Sequence, residues 1–174
     1  MNRSRGYTFI ELVVYIALFS VVSIVVILSI GKLIQAYGRI RVERRVALAA
    51  EIAMERMVRE VRMARSIGTA AGSILSLTSC SDPSIAGCAS PAHTITRSFT
   101  LNASNQIDFT DSDNGTFRLT PDDVQVTQLT FTQDSGTSGV LSKAVYVSIK
   151  IEAGSGDYRV ARTFQSFAIL RGSY

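Results

Sequence analysis

The sequence predicts an α+β protein in which one long N-terminal helix precedes a body built on an antiparallel sheet. An uncharged run over residues 12–30 is followed by an amphipathic pattern at helical spacing that continues to about residue 66. After Gly68 and Gly72 the pattern changes to the two-residue period of β-strands. A run of strands after a single helix is typical of the α+β class.

The uncharged run predicts a helix that crosses a membrane. Residues 12–30 comprise fourteen Leu, Ile, Val or Phe residues, three Ser, one Tyr and one Ala. A spanning helix needs about 20 mostly apolar residues, and neither Pro nor Gly interrupts this run. A secretory signal peptide would have a shorter apolar region and a small-residue cleavage site, whereas this run continues into Gly31 and Lys32. We therefore expect the helix to be retained.

The second half of the predicted helix is amphipathic. Apolar residues recur at spacings of three and four, at Ala47, Ala50, Met54, Met57, Val58, Val61 and Ala64. Charged residues mostly occupy the other side, at Arg44, Arg45, Glu51, Glu55, Arg59 and Arg62, where Glu55 and Arg59 are spaced for an ion pair. Four Glu residues alternate with the Arg residues, at Glu43, Glu51, Glu55 and Glu60. This mixture favours a solvated face over a phosphate-binding one. We predict one helix from about Thr8 to Ser66.

Seven strands are predicted beyond the helix, over residues 73–78, 94–101, 106–110, 116–119, 124–132, 140–151 and 158–170. The clearest alternation lies in residues 143–151, where four aliphatic side chains occupy every second position. The dipeptide Asn114-Gly115 is a strong hairpin signal between two of these strands.

Charge and composition exclude several classes of function. The net charge is +4, and residues 1–65 hold 11 of the 18 basic and 5 of the 14 acidic side chains. Residues 66–174 therefore hold 7 basic and 9 acidic side chains, which disfavours a generally basic nucleic-acid-binding domain. Two Cys and one His exclude zinc fingers and ribbons. His93 is the sole candidate base, and no catalytic motif is visible. We expect no enzyme activity, no resident cofactor and no metal.

The first twelve residues carry a short, specific motif. A basic leader with Arg3 and Arg5 ends in Gly6, and the residues Tyr-Thr-Phe-Ile-Glu-Leu follow before the apolar run. This segment resembles the class III leader of type IV prepilins and pseudopilins. The resemblance implies that a prepilin peptidase cleaves after Gly6 and N-methylates Tyr7, and that Glu11 acts in assembly. A chance carboxylate in a signal anchor is the alternative, although intramembrane carboxylates are costly and usually functional.

The family resemblance also implies architecture and partners. In pilin-like proteins a sheet packs on the upper half of the long helix, and the last three predicted strands look most like minor pilins related to pseudopilin J. The chain divides into a leader (1–6), the transmembrane and assembly half of the helix (7–31), its amphipathic half (32–67) and a β-rich body (68–174). The expected partners are the prepilin peptidase, other pilin or pseudopilin subunits, the inner-membrane assembly platform and membrane lipid, with no direct binding of nucleic acid.

The distribution of basic residues disagrees with the orientation that the resemblance implies. Two Arg residues precede the apolar run, whereas five basic residues follow it closely, at Lys32, Arg39, Arg41, Arg44 and Arg45. The positive-inside rule alone would keep the body in the cytoplasm. The leader resemblance and the cysteine pair favour an exported body, and we expect that orientation.

Cys80 and Cys88 enclose seven residues, which is too many for a CxxC redox motif. In an exported domain we expect them to form a disulfide that closes a surface loop, although two free thiols are the alternative. Asp111 and Asp113 are reminiscent of a calcium loop, but Thr116 stands where an EF-hand requires Gly. We expect a turn there.

Two functions from different classes follow. The first is a minor pilin or pseudopilin that primes or joins a filament of a type IV pilus, a type II secretion system or a competence pilus. The second is a signal-anchored exported protein that binds a ligand or cell-wall component and does not polymerise.

Overall fold

The computed structural model describes residues 8–80, 94–134 and 143–170. In this part of the chain, one α-helix precedes eight strands. The helix α1 spans Phe9–Met63, and the strands are β1 (Ser66–Gly72), β2 (Ile74–Cys80), β3 (Thr94–Leu101), β4 (Ile107–Asp111), β5 (Gly115–Arg118), β6 (Val124–Asp134), β7 (Ala144–Ala153) and β8 (Val160–Ile169). The strands form one antiparallel sheet in the order β5-β4-β3-β2-β1-β6-β7-β8. The α+β, pilin-like fold is confirmed.

The chain divides into two compact units, residues 1–40 and 41–174. In the first unit the described residues belong to α1, and their large apolar side chains are exposed from Phe9 onward. An 18-residue window of this helix has a mean hydropathy of 2.9, and none of it is buried. By length and composition the helix can therefore cross a membrane.

In the second unit, α1 packs one stripe against the sheet. The buried helix residues recur every three or four positions, at Val46, Ala49, Ala50, Ala53, Met57, Glu60, Val61 and Ala64. They meet side chains from one face of the sheet, including Phe99, Phe131 and Ile149. The predicted stripe is confirmed at Ala50, Met57, Val61 and Ala64, whereas Ala47 is exposed. Ala tolerates either face of a helix, so the pattern of apolar residues did not fix the rotation there.

The helix ends at Met63, three residues before the predicted Ser66. A strand that the sequence did not predict, β1, begins at Ser66 and ends the helix early. The backbone N–H of Arg65 already donates to the carbonyl oxygen of Thr78 at 2.8 Å. Strand β1 was not predicted, since four of its seven residues are Gly or Ala, which are depleted in strands. It forms because it lies between β2 and β6 and pairs with both. Gly72 takes a positive φ of 58° at the turn into β2.

The remaining predicted strands appear close to their expected positions. The Asn114-Gly115 hairpin is confirmed: Asp111 pairs with Gly115, whose φ of 88° suits glycine. In β7 the alternation is also confirmed, since Val145, Val147, Ile149 and Ile151 are buried. The predicted start of this strand at residues 140–142 lies outside the described residues.

Candidate functional site

The polar side chains of the apolar part of α1 are bonded within the helix. The hydroxyl groups of Ser20, Ser23 and Ser29 donate to the backbone carbonyl oxygens four residues earlier, at 2.7 to 2.8 Å. In lipid, a polar group without a hydrogen bond costs several kcal/mol, on the order of 2–7. These internal bonds make the helix compatible with a bilayer despite its hydroxyl groups.

Glu11 lies in the first turn of α1, and the hydroxyl of Tyr15 donates to its Oε1 at 3.2 Å. The sequence reasoning missed this contact, although the four-residue spacing could have revealed it. A hydroxyl group satisfies one oxygen but does not neutralise the negative charge. No Lys or Arg lies between Glu11 and Lys32 in the sequence. The predicted processing residues Gly6 and Tyr7 lie outside the described residues.

The N-terminal segment also matches a known motif. The prokaryotic N-terminal methylation motif matches residues 1–30. This match supports a type IV pilin-like protein. It implies processing by a prepilin peptidase and assembly with other pilin subunits, and it suggests a structural, non-enzymatic protein. The motif and the apolar helix fit an inner-membrane anchor with an exported body. No curated protein and no solved structure matches the chain.

The body contains a buried ionic network. Glu60 of α1 is 1% exposed and pairs with Arg56 at 3.0 Å and with Arg97 of β3 at 2.7 Å. Arg97 also donates through Nε to Asp111 of β4 at 3.0 Å. The sequence pattern did not predict the burial of Glu60. The guanidinium groups of Arg56 and Arg97 compensate its charge inside the fold, and Arg97 reaches Glu60 from β3. The predicted pair of Glu55 and Arg59 is confirmed on the exposed side, at 2.6 Å.

Removing the Glu60 carboxylate is expected to destabilise the body strongly. Glu60→Ala leaves Arg97 largely buried without its helix partner, and breaking a buried pair in this way costs about 3–5 kcal/mol. The control Glu55→Ala removes an exposed carboxylate, which contributes only about 0–1 kcal/mol. Urea unfolding of the detergent-solubilised full chain, followed by circular dichroism, measures both. Equal losses for the two variants would show that the network does not stabilise the fold.

Asp111 begins the expected turn and also forms an ion pair with Arg97 that was not predicted, so its oxygens are already bonded. Oδ1 accepts the backbone N–H of Asp113, and Oδ2 accepts the Arg97 bond, both at 3.0 Å. Among the described residues, no group of three or more His, Cys, Asp or Glu could hold a metal ion. Burial raises the pKa of the Asp111 carboxyl, but the bonds from Asp113, Arg97 and Asn114 outweigh burial and lower it below its ordinary value. A bond from Gln106 and the charge of Arg118 likewise lower the pKa of Asp122.

These lowered pKa values predict a loss of stability in acid. A carboxyl whose pKa is lower in the folded state stabilises the fold above its unfolded pKa, which is about 3.9 for Asp. The stabilisation is lost as the pH falls through the lower, folded pKa. We expect the Tm of the body to fall below about pH 4, and to fall less steeply in Asp111→Asn, which no longer titrates. Identical Tm profiles for the two proteins would contradict a contribution from Asp111.

Cys80 is the last residue of β2 and pairs in register with Thr94, the first residue of β3. The intervening segment therefore connects two neighbouring strands. Cys88 and His93 lie outside the described residues.

We expect a disulfide between Cys80 and Cys88, since a closed loop of this size contributes about 2.5 kcal/mol in an oxidising compartment. Thiol-reactive mass tagging of protein from its native envelope, denatured without reductant, should find no free thiol. Two tagged cysteines would instead indicate a cytoplasmic body.

Proposed function

We propose that this chain is a minor pilin or pseudopilin, which primes or joins a type IV pilus-like filament through its N-terminal helix. The observation that carries the proposal is the methylation motif over residues 1–30, whose apolar run lies in the exposed part of α1. A helix whose large apolar side chains are exposed on all sides needs lipid or other helices around it. The membrane would supply lipid before assembly, and neighbouring subunits would supply other helices in the filament.

The proposed processing follows the segments of the chain. Residues 1–6 form the leader that is removed, and residues 7–31 form the half of the helix that spans the membrane and later packs in the filament. Residues 32–67 link this segment to the body, and residues 68–174 form the exported body. Cleavage after Gly6 creates a new α-amino group on Tyr7, which the peptidase then methylates.

Glu11 is the proposed assembly residue. Its carboxylate lies in an apolar segment and accepts a neutral hydrogen bond from Tyr15, so its charge still needs a cation. The nearest cation that the mature chain offers at this depth is the α-amino group of Tyr7, its own or that of a neighbouring subunit. A bond between Glu11 and the Tyr7 amine of a neighbour would fix the axial register of the two helices.

The proposal places the chain among minor rather than major subunits. The apolar run lacks the Pro and the early Gly that the resemblance associates with major pilins. Retention of Glu11 argues against the pseudopilin at the tip, which typically lacks this residue. The remaining partners would be the inner-membrane assembly platform and other pilin or pseudopilin subunits.

N-terminal sequencing and intact mass of the membrane-bound protein test the proposal. We expect the mature chain to begin at N-methyl-Tyr7. A chain that begins at Met1 would contradict the proposal and favour a signal-anchored protein that does not polymerise.

A further inference from the structure

The outer face of the sheet, opposite α1, carries an uncharged array of side chains at the β6–β7–β8 end. Two neighbouring rows cross these three strands in register. We name them the outer platform, which comprises Thr132, Tyr146 and Phe167 in one row and Thr130, Ser148 and Gln165 in the next. Strand spacing of about 4.8 Å and a two-residue repeat of about 6.8 Å give an area of roughly 10 Å by 7 Å. Asp134 and Lys150 lie one row beyond it on either side.

The outer platform contains a depression of about 190 Å³. Ser148 on the central strand is small and half-buried, and larger side chains surround it, with Tyr146 on one side and Gln165 and Thr130 on the neighbouring strands. Pockets for drug-sized ligands measure about 300–1,000 Å³, so this depression suits a single six-membered ring.

The aromatic side chains stand beside this depression. Tyr146 is 50% exposed and Phe167 is 58% exposed, and their ring centroids are 6.2 Å apart at an angle of 34°. Exposed aromatic rings of this kind form an apolar surface. The C–H face of a ring-shaped ligand can pack against it.

The polar groups of the outer platform are not committed to other residues. In the described part of the chain, the hydroxyls of Thr130, Thr132 and Ser148 and the amide of Gln165 make no side-chain hydrogen bond. Two other side-chain amides of the body are paired instead, Asn102 with Asp108 and Gln106 with Asp122. Hydroxyl and amide groups both donate and accept, which matches the hydroxyl groups of a neutral ligand.

We propose that the outer platform binds a neutral saccharide, with one sugar ring packed against Tyr146 and its hydroxyl groups bonded to Ser148, Thr130 and Gln165. The absence of charge among the six residues disfavours phosphate, nucleic acid and acidic polymers, which bind through Lys and Arg. The depression of about 190 Å³ matches one sugar ring, whereas a stable protein partner would have to cover about 800 Å² of this side of the body. This inference goes beyond the filament function and does not depend on it.

The test uses the full chain in a detergent without a sugar headgroup. Cellotriose, maltotriose and chitotriose serve as probes, and calorimetry and saturation-transfer NMR measure their binding. We expect at least one trisaccharide to bind with a Kd of about 1 mM or tighter, with transfer to its ring C–H protons. Tyr146→Ala should weaken binding at least tenfold, which corresponds to about 1.4 kcal/mol, whereas Tyr146→Phe should retain it.

Phe117→Ala is the matched control, because Phe117 is equally exposed, at 50%, and lies on the opposite edge strand. It should leave the affinity unchanged. Ser148→Phe, which fills the depression from an exposed face, should abolish binding without unfolding the body. Three outcomes would overturn the proposal: no binding of any probe, binding that Tyr146→Ala leaves intact, or a change only in oligomeric state, which would make the outer platform a protein interface.

Discussion

Gly6→Val is expected to leave a full-length precursor in the membrane. The resemblance implies a peptidase site that admits little side chain on the residue before the cleaved bond, and Gly6 carries none. The apolar run is unchanged, so insertion into the membrane should proceed normally. Intact mass and N-terminal sequencing of the membrane fraction would show a chain that begins at Met1, with no mature form.

Gly31→Val provides a matched control in the same helix. A Cβ at Gly31 would meet no atom within 4 Å, so the substitution is sterically tolerated. We expect this variant to lose its first six residues, as we expect of the natural chain. Normal cleavage of Gly6→Val would refute the role of Gly6 in processing.

Glu11→Ala and Glu11→Gln are expected to be inserted and cleaved normally but to be absent from filaments. An ionised carboxylate in a spanning helix costs roughly 2.5–3.5 kcal/mol on an insertion scale. Fourteen Leu, Ile, Val and Phe residues at about −0.3 to −0.6 kcal/mol each outweigh this cost, so insertion does not depend on Glu11. In a bundle of helices the lone carboxylate needs a cation, and both variants would remove the proposed pairing with the Tyr7 amine.

Tyr15→Phe separates the two contacts of Glu11. This variant removes the intrahelical hydrogen bond but keeps the carboxylate, so we expect it to enter filaments. Glu55→Gln controls for the loss of an exposed charge on the same helix. Immunoblotting of sheared filaments against the membrane fraction measures all the variants. Glu11→Ala at the natural level in filaments would remove the assembly role, and failure of Tyr15→Phe would assign that role to the hydrogen bond.

Two features of the sequence disagree on whether the body is exported or stays in the cytoplasm. The basic residues after the apolar run oppose export of the body, whereas the methylation motif fits an exported body. A disulfide between Cys80 and Cys88 would decide for export, because cytosolic thiols remain reduced.

The sequence by itself determined the parts of this protein that depend on local pattern. The uncharged run predicted the long helix, the alternation in residues 143–151 predicted β7, and Asn114-Gly115 predicted the β4–β5 hairpin. These signals are local because helical period, strand period and turn geometry each involve residues close in the chain. The match to the methylation motif likewise rests on residues 1–30.

Only the tertiary structure decided the features that depend on distant neighbours. β1 is a strand because β2 and β6 pair with it on both sides, although four of its seven residues are Gly or Ala, which are depleted in strands. Glu60 is buried because Arg97, far along the chain, reaches it from β3. The outer platform likewise exists because the register of three strands places residues from β6, β7 and β8 side by side. A local pattern in the sequence does not specify which distant residues will meet, since packing of the whole fold decides that.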